Sequence, residues 1–224
     1  MIRHAAADVV LLQEATRITA VARIASLAGL QHYTAREGNS LAFLSREPPA
    51  HYEWHRPRGS RHAFLEVVPP GDPCRLFGVH LAAVHSAWTE QRRVFELRAL
   101  LASIARHQHG LHVLAGDFNT LAPGARLDIG RLPHRLRALV WLSGGRIRWR
   151  TIQRVLDAGY VDAFRGLHPD DAGLTFPTWA PHLRLDYAFL PAAFASRVRS
   201  CEVIRTPEAR PASDHYPLAL DVDL

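Results

Sequence analysis

Short apolar runs recur along this chain, and the residues best suited to chemistry sit at their ends. Asp8-Val-Val-Leu-Leu12 runs into Gln13-Glu14, Leu76-Phe-Gly-Val-His80 ends on a histidine, and Leu111-His-Val-Leu-Ala-Gly116 leads to Asp117 and Asn119. Later the order reverses. Asp186 lies near the start of the run Arg184–Leu190, and Asp214-His215 stand directly before the run Tyr216–Leu224. If these runs are strands, one rim can gather all of these residues only when the last strands run antiparallel to the first. That excludes an all-parallel doubly wound sheet and calls for mixed sheets. Strands outnumber the helices able to cover them, so two sheets packed face to face, with helices outside, are expected.

Other segments fit that plan. A helix capped by Thr16 is expected through about Leu27, with Ile18, Val21 and Ala25 on one face and Gly29 closing it. Gly38-Asn39-Ser40 turns into the strand Leu41–Ser45, and His62–Val68 alternates as a half-exposed strand. Val94, Leu97, Leu101 and Ile104 recur at helical spacing, which places a helix over about 88–106, with Ser86 as its cap. Residues 151–158 read as a helix stopped by Gly159, Thr175–Trp179 as a loop, and Val198–Ile204 as a strand pairing back on Arg184–Leu190. No repeat or linker divides the 224 residues, which suit a single domain spanning 1–224. Cys74 and Cys201 match no metal or redox spacing and are expected to be small buried hydrophobes.

Charge points outward, to partners. The 27 basic residues against 21 acidic ones give +6, and every basic residue is Arg. Guanidinium forks contact phosphate in pairs of hydrogen bonds that Lys cannot form, so an anionic partner is expected. Arginines crowd the segment about 123–150, from Arg126 to Arg150, with Trp141 and Trp149 between them. This insert is either a basic, aromatic arm for a polyanion or lipid headgroup surface, or a solvated cover on one face. No obligate protein partner is evident. No run approaches the ~20 apolar residues of a membrane span, and no signal peptide is visible. A cytoplasmic location is expected, with secretion or membrane anchoring left open because the chain opens almost directly on a core strand.

The strand-end residues suggest chemistry on phosphate. In Gly116-Asp-Phe-Asn119 the carboxylate can orient or deprotonate a nucleophile, and the carboxamide can donate to a phosphoryl oxygen. A polar turn capping its own backbone is the plain alternative. Glu14 has the same standing as a surface carboxylate, and His80 as a core histidine. Asp186 is harder to explain structurally, because a carboxylate in an apolar strand is costly to bury without a partner. Asp214-His215 offers one, and a His oriented by an Asp has a fixed tautomer and raised basicity.

Gln13-Glu14, Gly78-Val-His80-Leu, Gly116-Asp-Phe-Asn119, Arg184-Leu-Asp186-Tyr and Ser213-Asp214-His215 occur in an order that resembles the endonuclease/exonuclease/phosphatase superfamily. Gly38-Asn39, Leu44-Ser-Arg46 and Thr175-Phe-Pro177 look like its bacterial members. The resemblance implies a DNase I-like, four-layered α/β/β/α sandwich of two mixed sheets and divalent-metal-dependent hydrolysis of phosphoesters. Carried over, Glu14 and Asp214 would bind Mg²⁺ (or Mn²⁺), and His80, Asp117, Asn119, Asp186 and His215 would be catalytic. Asn39 and Arg184 would contact substrate. Nucleic acid, a phospholipid headgroup or a small phosphodiester all suit such a site. The family's usual first strand, which ends in an Asn at the metal site, has no counterpart before Gln13-Glu14. A fold apparently lacking that strand leaves a second outcome, a catalytically weak or inactive scaffold that binds phosphorylated or anionic partners.

Overall fold

The computed structural model describes residues 1–58, 60–71, 74–83, 87–107, 110–125, 130, 137, 141 and 149–224. In chain order the elements are α1 (Ile2–Ala5), β1 (Val9–Leu12), α2 (Ile18–Ala28), β2 (His32–Ala35), β3 (Ala42–Ser45), β4 (His51–His55), β5 (Phe64–Val68), β6 (Arg75–His80), α3 (Ala87–His107) and β7 (His112–Asp117). Then follow α4 (Arg150–Asp157), β8 (Tyr160–Asp162), α5 (Ala163–Leu167), β9 (Asp186–Pro191), a 3-10 helix (Ala192–Arg197), β10 (Val198–Val203), α6 (Ala209–Ala212) and β11 (Leu218–Val222).

The largest sheet has the order β4-β5-β6-β7-β9-β8. Within it β6 and β7 are parallel, and the other pairs are antiparallel. The reversal between β7 and β9 is what the placement of the polar residues required. Because side chains alternate along a strand, the sheet buries two faces. Leu114, Tyr187 and Phe189 meet Leu97, Leu100 and Ile104 of α3 and Ile152 and Val155 of α4. The opposite face packs on further strands. Leu65 and Val67 of β5 meet Phe43 and Leu11 of the three-stranded sheet β1-β3-β2, and Leu41 just before β3. Ala188 and Leu190 of β9 meet Cys201 of β10 and Leu220 of β11. The outer side of the three-stranded sheet is covered by Val21 and Ala25 of α2. Truncating a core residue such as Leu97 to Ala would cost about 2–5 kcal/mol.

The second β layer therefore comes in two pieces, β1-β3-β2 and β10-β11. Among the described residues, β1 pairs with β3 alone and β11 with β10 alone. This corrects one expectation: β10 pairs antiparallel with β11, not back on β9. The reason is geometric, since both edges of β9 are already taken by β7 and β8. Two smaller differences follow from local chemistry. The cap of α2 is Arg17, with no side-chain bond, so Thr16 does not cap it. Ser86 lies outside the described residues. Both cysteines are buried.

Of the Arg- and Trp-rich segment, Arg126, Arg131, Arg135, Arg146 and Arg148 lie outside the described residues. Trp141 and Trp149 are exposed, and Arg150 opens α4. Among the described residues no helix is long and apolar enough to cross a membrane.

Candidate active site

The rim is built by the strand register. His80 and Asp117 are partners across the parallel β6–β7 pair, and Asp117 and Asp186 are partners across the antiparallel β7–β9 pair. Three strand ends thus bring three titratable side chains together without help from long loops. Backbone bonds tie the strand exits down, Leu81 N–H to the Asp117 carbonyl at 3.0 Å and Phe118 N–H to the Leu185 carbonyl at 3.0 Å. Gly116 is required here: with φ at 138°, a Cβ would lie 2.1 Å from the Val79 carbonyl and 3.1 Å from Gln13 Nε2. The same contact shows that the end of β1 reaches the end of β7.

His215 arrives from the turn before β11. Thr178 holds that turn, its N–H donating to the Asp214 carbonyl at 2.9 Å and its hydroxyl to the Ser213 carbonyl at 2.9 Å. The ring of His215 lies 4.7 Å from that of Phe176, and its Nδ1 is 2.8 Å from Asp186 Oδ2. Asp117, Asp186 and His215 each offer a ligand atom, and these atoms all lie within 4.8 Å of one another. Among the described residues this is the one such group of His, Cys, Asp or Glu.

The electrostatics follow from crowding acids in a buried place. Burial first, and then the neighbouring Asp186, push the Asp117 carboxyl well above the usual carboxylate range, against the pull of His215. Burial alone would lower His215, but its hydrogen bond to Asp186 and the charges of Asp186, Asp117 and Asp214 raise it to about 9. His80 goes the other way. Burial, helped by His62 and His215, lowers it to about 4. Its Nε2 lies 3.8 Å from Asp117 Oδ2, and its buried Nδ1 has no hydrogen-bond partner among the described residues.

Asn119, at a left-handed φ of 52°, turns back onto Asp117. Its backbone N–H donates to Asp117 Oδ1 at 2.7 Å, and its side-chain Nδ2 donates to Asp117 Oδ2 at 2.8 Å and to the Leu81 carbonyl at 2.9 Å. Both amide hydrogens are thereby engaged, so Asn119 clamps Asp117 in this arrangement. Glu14 is exposed at the end of β1 with φ at 56°, and its charge is felt at Asp117. Asn39 sits on the same side of the rim, in the turn whose Ser40 carbonyl accepts from Ala15 N–H at 3.1 Å. Asp214 is exposed beside His215 and is not part of the buried cluster.

Arg184 has a different setting from the substrate contact expected of it. It is buried, ion-paired with Asp162, and stacked 4.4 Å over the Tyr187 ring. A side chain held this way supports the start of β9.

One supporting group is absent from the strand-end pattern. Arg93, 1% exposed, donates from Nη1 to the Ala82 carbonyl at 2.7 Å and from Nη2 to Glu90 Oε2 at 2.9 Å. Glu90 also accepts from Thr120 Oγ1 at 3.2 Å, and from Thr151 N–H and Oγ1 at 2.8 and 2.9 Å. This pair joins the segments that follow His80 and Asn119 to the start of α4. A signal was present: positions 90 and 93 precede Val94 and Leu97 by one helical turn, so an ion pair occupies the core stripe of α3.

Residues 1–215 match the Endonuclease/Exonuclease/phosphatase family. Among curated proteins none matches the sequence. Among solved structures, the AP endonuclease from Archaeoglobus fulgidus is similar at a TM-score of 0.75 and 18% identity, covering 100% of this chain and 91% of that one. The 3′ phosphatase NExo from Neisseria, bound to a product DNA hairpin, aligns at a TM-score of 0.69 and 20% identity over 97% of this chain and 89% of that one. The 3′-5′ exonuclease NExo from Neisseria meningitidis aligns at 0.69 and 22%, over 97% and 90%. Structural likeness at this identity establishes the DNase I-like fold alone, while the sequence match over nearly the whole chain establishes that the protein belongs to the Endonuclease/Exonuclease/phosphatase family of phosphoester hydrolases.

Proposed function

We propose that this protein is a divalent-metal-dependent hydrolase that cleaves a phosphoester bond of a nucleic acid. The observation that carries the reading is the convergence of Asp117, Asp186 and His215 within 4.8 Å on a rim shared with His80 and Glu14. Mg²⁺ or Mn²⁺ is the cofactor, and the donor chemistry fits it. Hard cations take oxygen ligands, and carboxylates dominate this rim. Glu14 and Asp214, both exposed, are the residues we assign to hold the ion. When bound, it supplies positive charge as negative charge builds on the phosphoryl group.

The other roles follow from contacts within the chain. Asp186 fixes the His215 ring through Nδ1, which leaves Nε2 to hold a phosphoryl oxygen. Asp117, clamped by Asn119, accepts the proton of the attacking water. His80, beside Asp117, serves the leaving oxygen.

Two facts favour nucleic acid. The net charge is +6 and wholly guanidinium in its basic part, which suits a phosphate backbone. Among the similar structures, one is described as bound to a product DNA hairpin and another as an AP endonuclease.

The test is hydrolysis of a 3′-phosphorylated oligonucleotide, an abasic-site duplex, bis-p-nitrophenyl phosphate and sphingomyelin vesicles, each with Mg²⁺, Mn²⁺ or EDTA. Metal-dependent cleavage of either nucleic acid, abolished by His215→Ala, is the expected result. Turnover of the vesicles alone would replace nucleic acid by a phospholipid headgroup. Silence of the folded protein on all four would favour a binding scaffold.

A further inference from the structure

Outside the cluster, a groove of about 680 Å³ lies between the outer edge of β4 and the exposed side of α3. Its size is that of a pocket for a ligand of a few hundred daltons. Arg56 and Arg58 border it from the segment after β4, and Arg98 borders it from α3. All three are exposed, and none of their side chains has a hydrogen bond or ion pair among the described residues. Phe95, half-exposed at 50%, stands one helical turn before Arg98 and shares its face. Ala99 and Ala102 continue that stripe with side chains too small to close the groove. Glu53 is the acidic member of the lining, and its carboxylate lies 3.7 Å from His51 and 3.9 Å from His55.

The groove adjoins the crevice beside His80. His55 pairs with Phe64 and Leu65 with Gly78, so the β4–β5 connection lies at the end of the sheet that carries His80. Pro57 and Phe64 border both the groove and the tight crevice that holds His62 and His80. The rings of those two histidines are 6.3 Å apart, and Glu96 of α3 fixes His62 through Nδ1 at 3.1 Å.

We infer that this groove binds the single polynucleotide strand that flanks the scissile phosphate. The inference rests on the nucleic-acid reading above and adds to it a second contact surface. Three guanidiniums supply the charge and donors that a phosphate backbone needs, and the exposed Phe95 ring offers a base a stacking face. An anionic vesicle matches the charge but has no use for a concave groove.

The experiment compares the wild-type protein with the combined Arg56→Ala, Arg58→Ala, Arg98→Ala variant and with Phe95→Ala. Substrates are bis-p-nitrophenyl phosphate and single-stranded oligonucleotides from a dinucleotide upward, across a salt series. The side chains are exposed, so the variants are expected to keep their stability. For the wild type, KM should fall as the oligonucleotide lengthens. The triple variant should lose that gain, and its log–log salt slope should drop by about 2, roughly 0.7 for each single-strand phosphate contact removed. Phe95→Ala should raise KM for long oligonucleotides about five- to a hundred-fold. Both should turn over bis-p-nitrophenyl phosphate like the wild type.

Unchanged length and salt dependence in a protein that cleaves oligonucleotides would overturn the groove and leave the nucleic-acid reading standing. Turnover of bis-p-nitrophenyl phosphate with no cleavage of any polynucleotide would overturn both. Loss of binding to phosphatidylserine vesicles alone would assign the arginines to a lipid surface and also overturn it.

Discussion

Asp117 and Asp186 are register partners across the antiparallel β7–β9 pair, so two carboxylates stand side by side at the buried end of a sheet. Like charges this close disfavour full ionisation of both unless positive charge compensates. The structure answers with His215, whose ring is bound to Asp186 and whose proton is held to about 9. The arrangement sets two carboxylates and an imidazole within 4.8 Å of one another.

Removing either half of the Asp186–His215 pair should separate orientation from chemistry. His215→Ala is expected to lower kcat by at least about 10²–10⁴, the usual contribution of a positioned proton-transfer or hydrogen-bonding group. Asp186→Asn should also lower kcat, because a neutral amide neither fixes the tautomer nor stabilises the imidazolium. Steady-state kinetics on bis-p-nitrophenyl phosphate, with circular dichroism as a control on folding, checks both. Near wild-type turnover in either variant would remove that residue from the assigned machinery.

The metal assignment is open to a direct comparison. Glu14→Gln should shift the Mg²⁺ concentration for half-maximal activity upward by about ten-fold or more, the scale on which one carboxylate near a site is felt. Asp186→Asn should lower the plateau with a smaller shift. If Asp186→Asn instead produces the larger shift in the Mg²⁺ titration, the buried cluster holds the ion and Glu14 does not.

Much of this rim was legible in the sequence, and for a physical reason. A strand that is apolar until its last residue announces both its burial and its exit, which is how Asp117, His80 and Asp186 could be placed. The opposite polarity of the late strands also implied the antiparallel β7–β9 pair. What escaped reading had weaker local signals. β4, His51-Tyr-Glu-Trp-His55, is an edge strand with polar residues toward solvent, and β8 is three residues long. The pairing of β10 depended on which edges of β9 were free, a property of the whole sheet and not of either segment. Arg184 matched a family pattern, yet its neighbour Asp162, 22 positions away, determines what it does. The Glu90–Arg93 pair could have been noticed as charge on an apolar stripe.

That pair supplies a stability prediction. Glu90 is 3% exposed and accepts bonds from Arg93, Thr120 and Thr151. Glu90→Ala leaves a buried guanidinium without its closest carboxylate and should destabilise the fold by about 3–5 kcal/mol. Urea unfolding at neutral pH measures it. A loss below about 1 kcal/mol, within reach of a surface pair, would show that the network contributes little beyond packing.

Acid should act on stability through Glu66, which lies on β5 away from the Asp117–Asp186–His215 cluster. The residue is 7% exposed, and its carboxylate lies 2.7 Å from His55 Nε2 and 2.7 Å from Arg75 Nη1. The hydrogen bond from His55 leads, burial opposes it, and Arg75 adds to it, with the result that the carboxyl falls from 4.5 to about 2. A group whose folded pKa is depressed binds protons more readily when unfolded. Its contribution is therefore complete above about 4.5 and fades as the pH drops toward about 2. Wild type and Glu66→Gln should accordingly differ in urea unfolding free energy by on the order of 2 kcal/mol at pH 7. The difference should shrink steadily below pH about 4.5. Using the difference between the two proteins cancels the acid sensitivity they share, because all other carboxyls titrate in both. A gap that stays constant down to the lowest pH at which both remain folded would mean that Glu66 acts through shape alone, and that its charge contributes nothing to holding β4, β5 and β6 together.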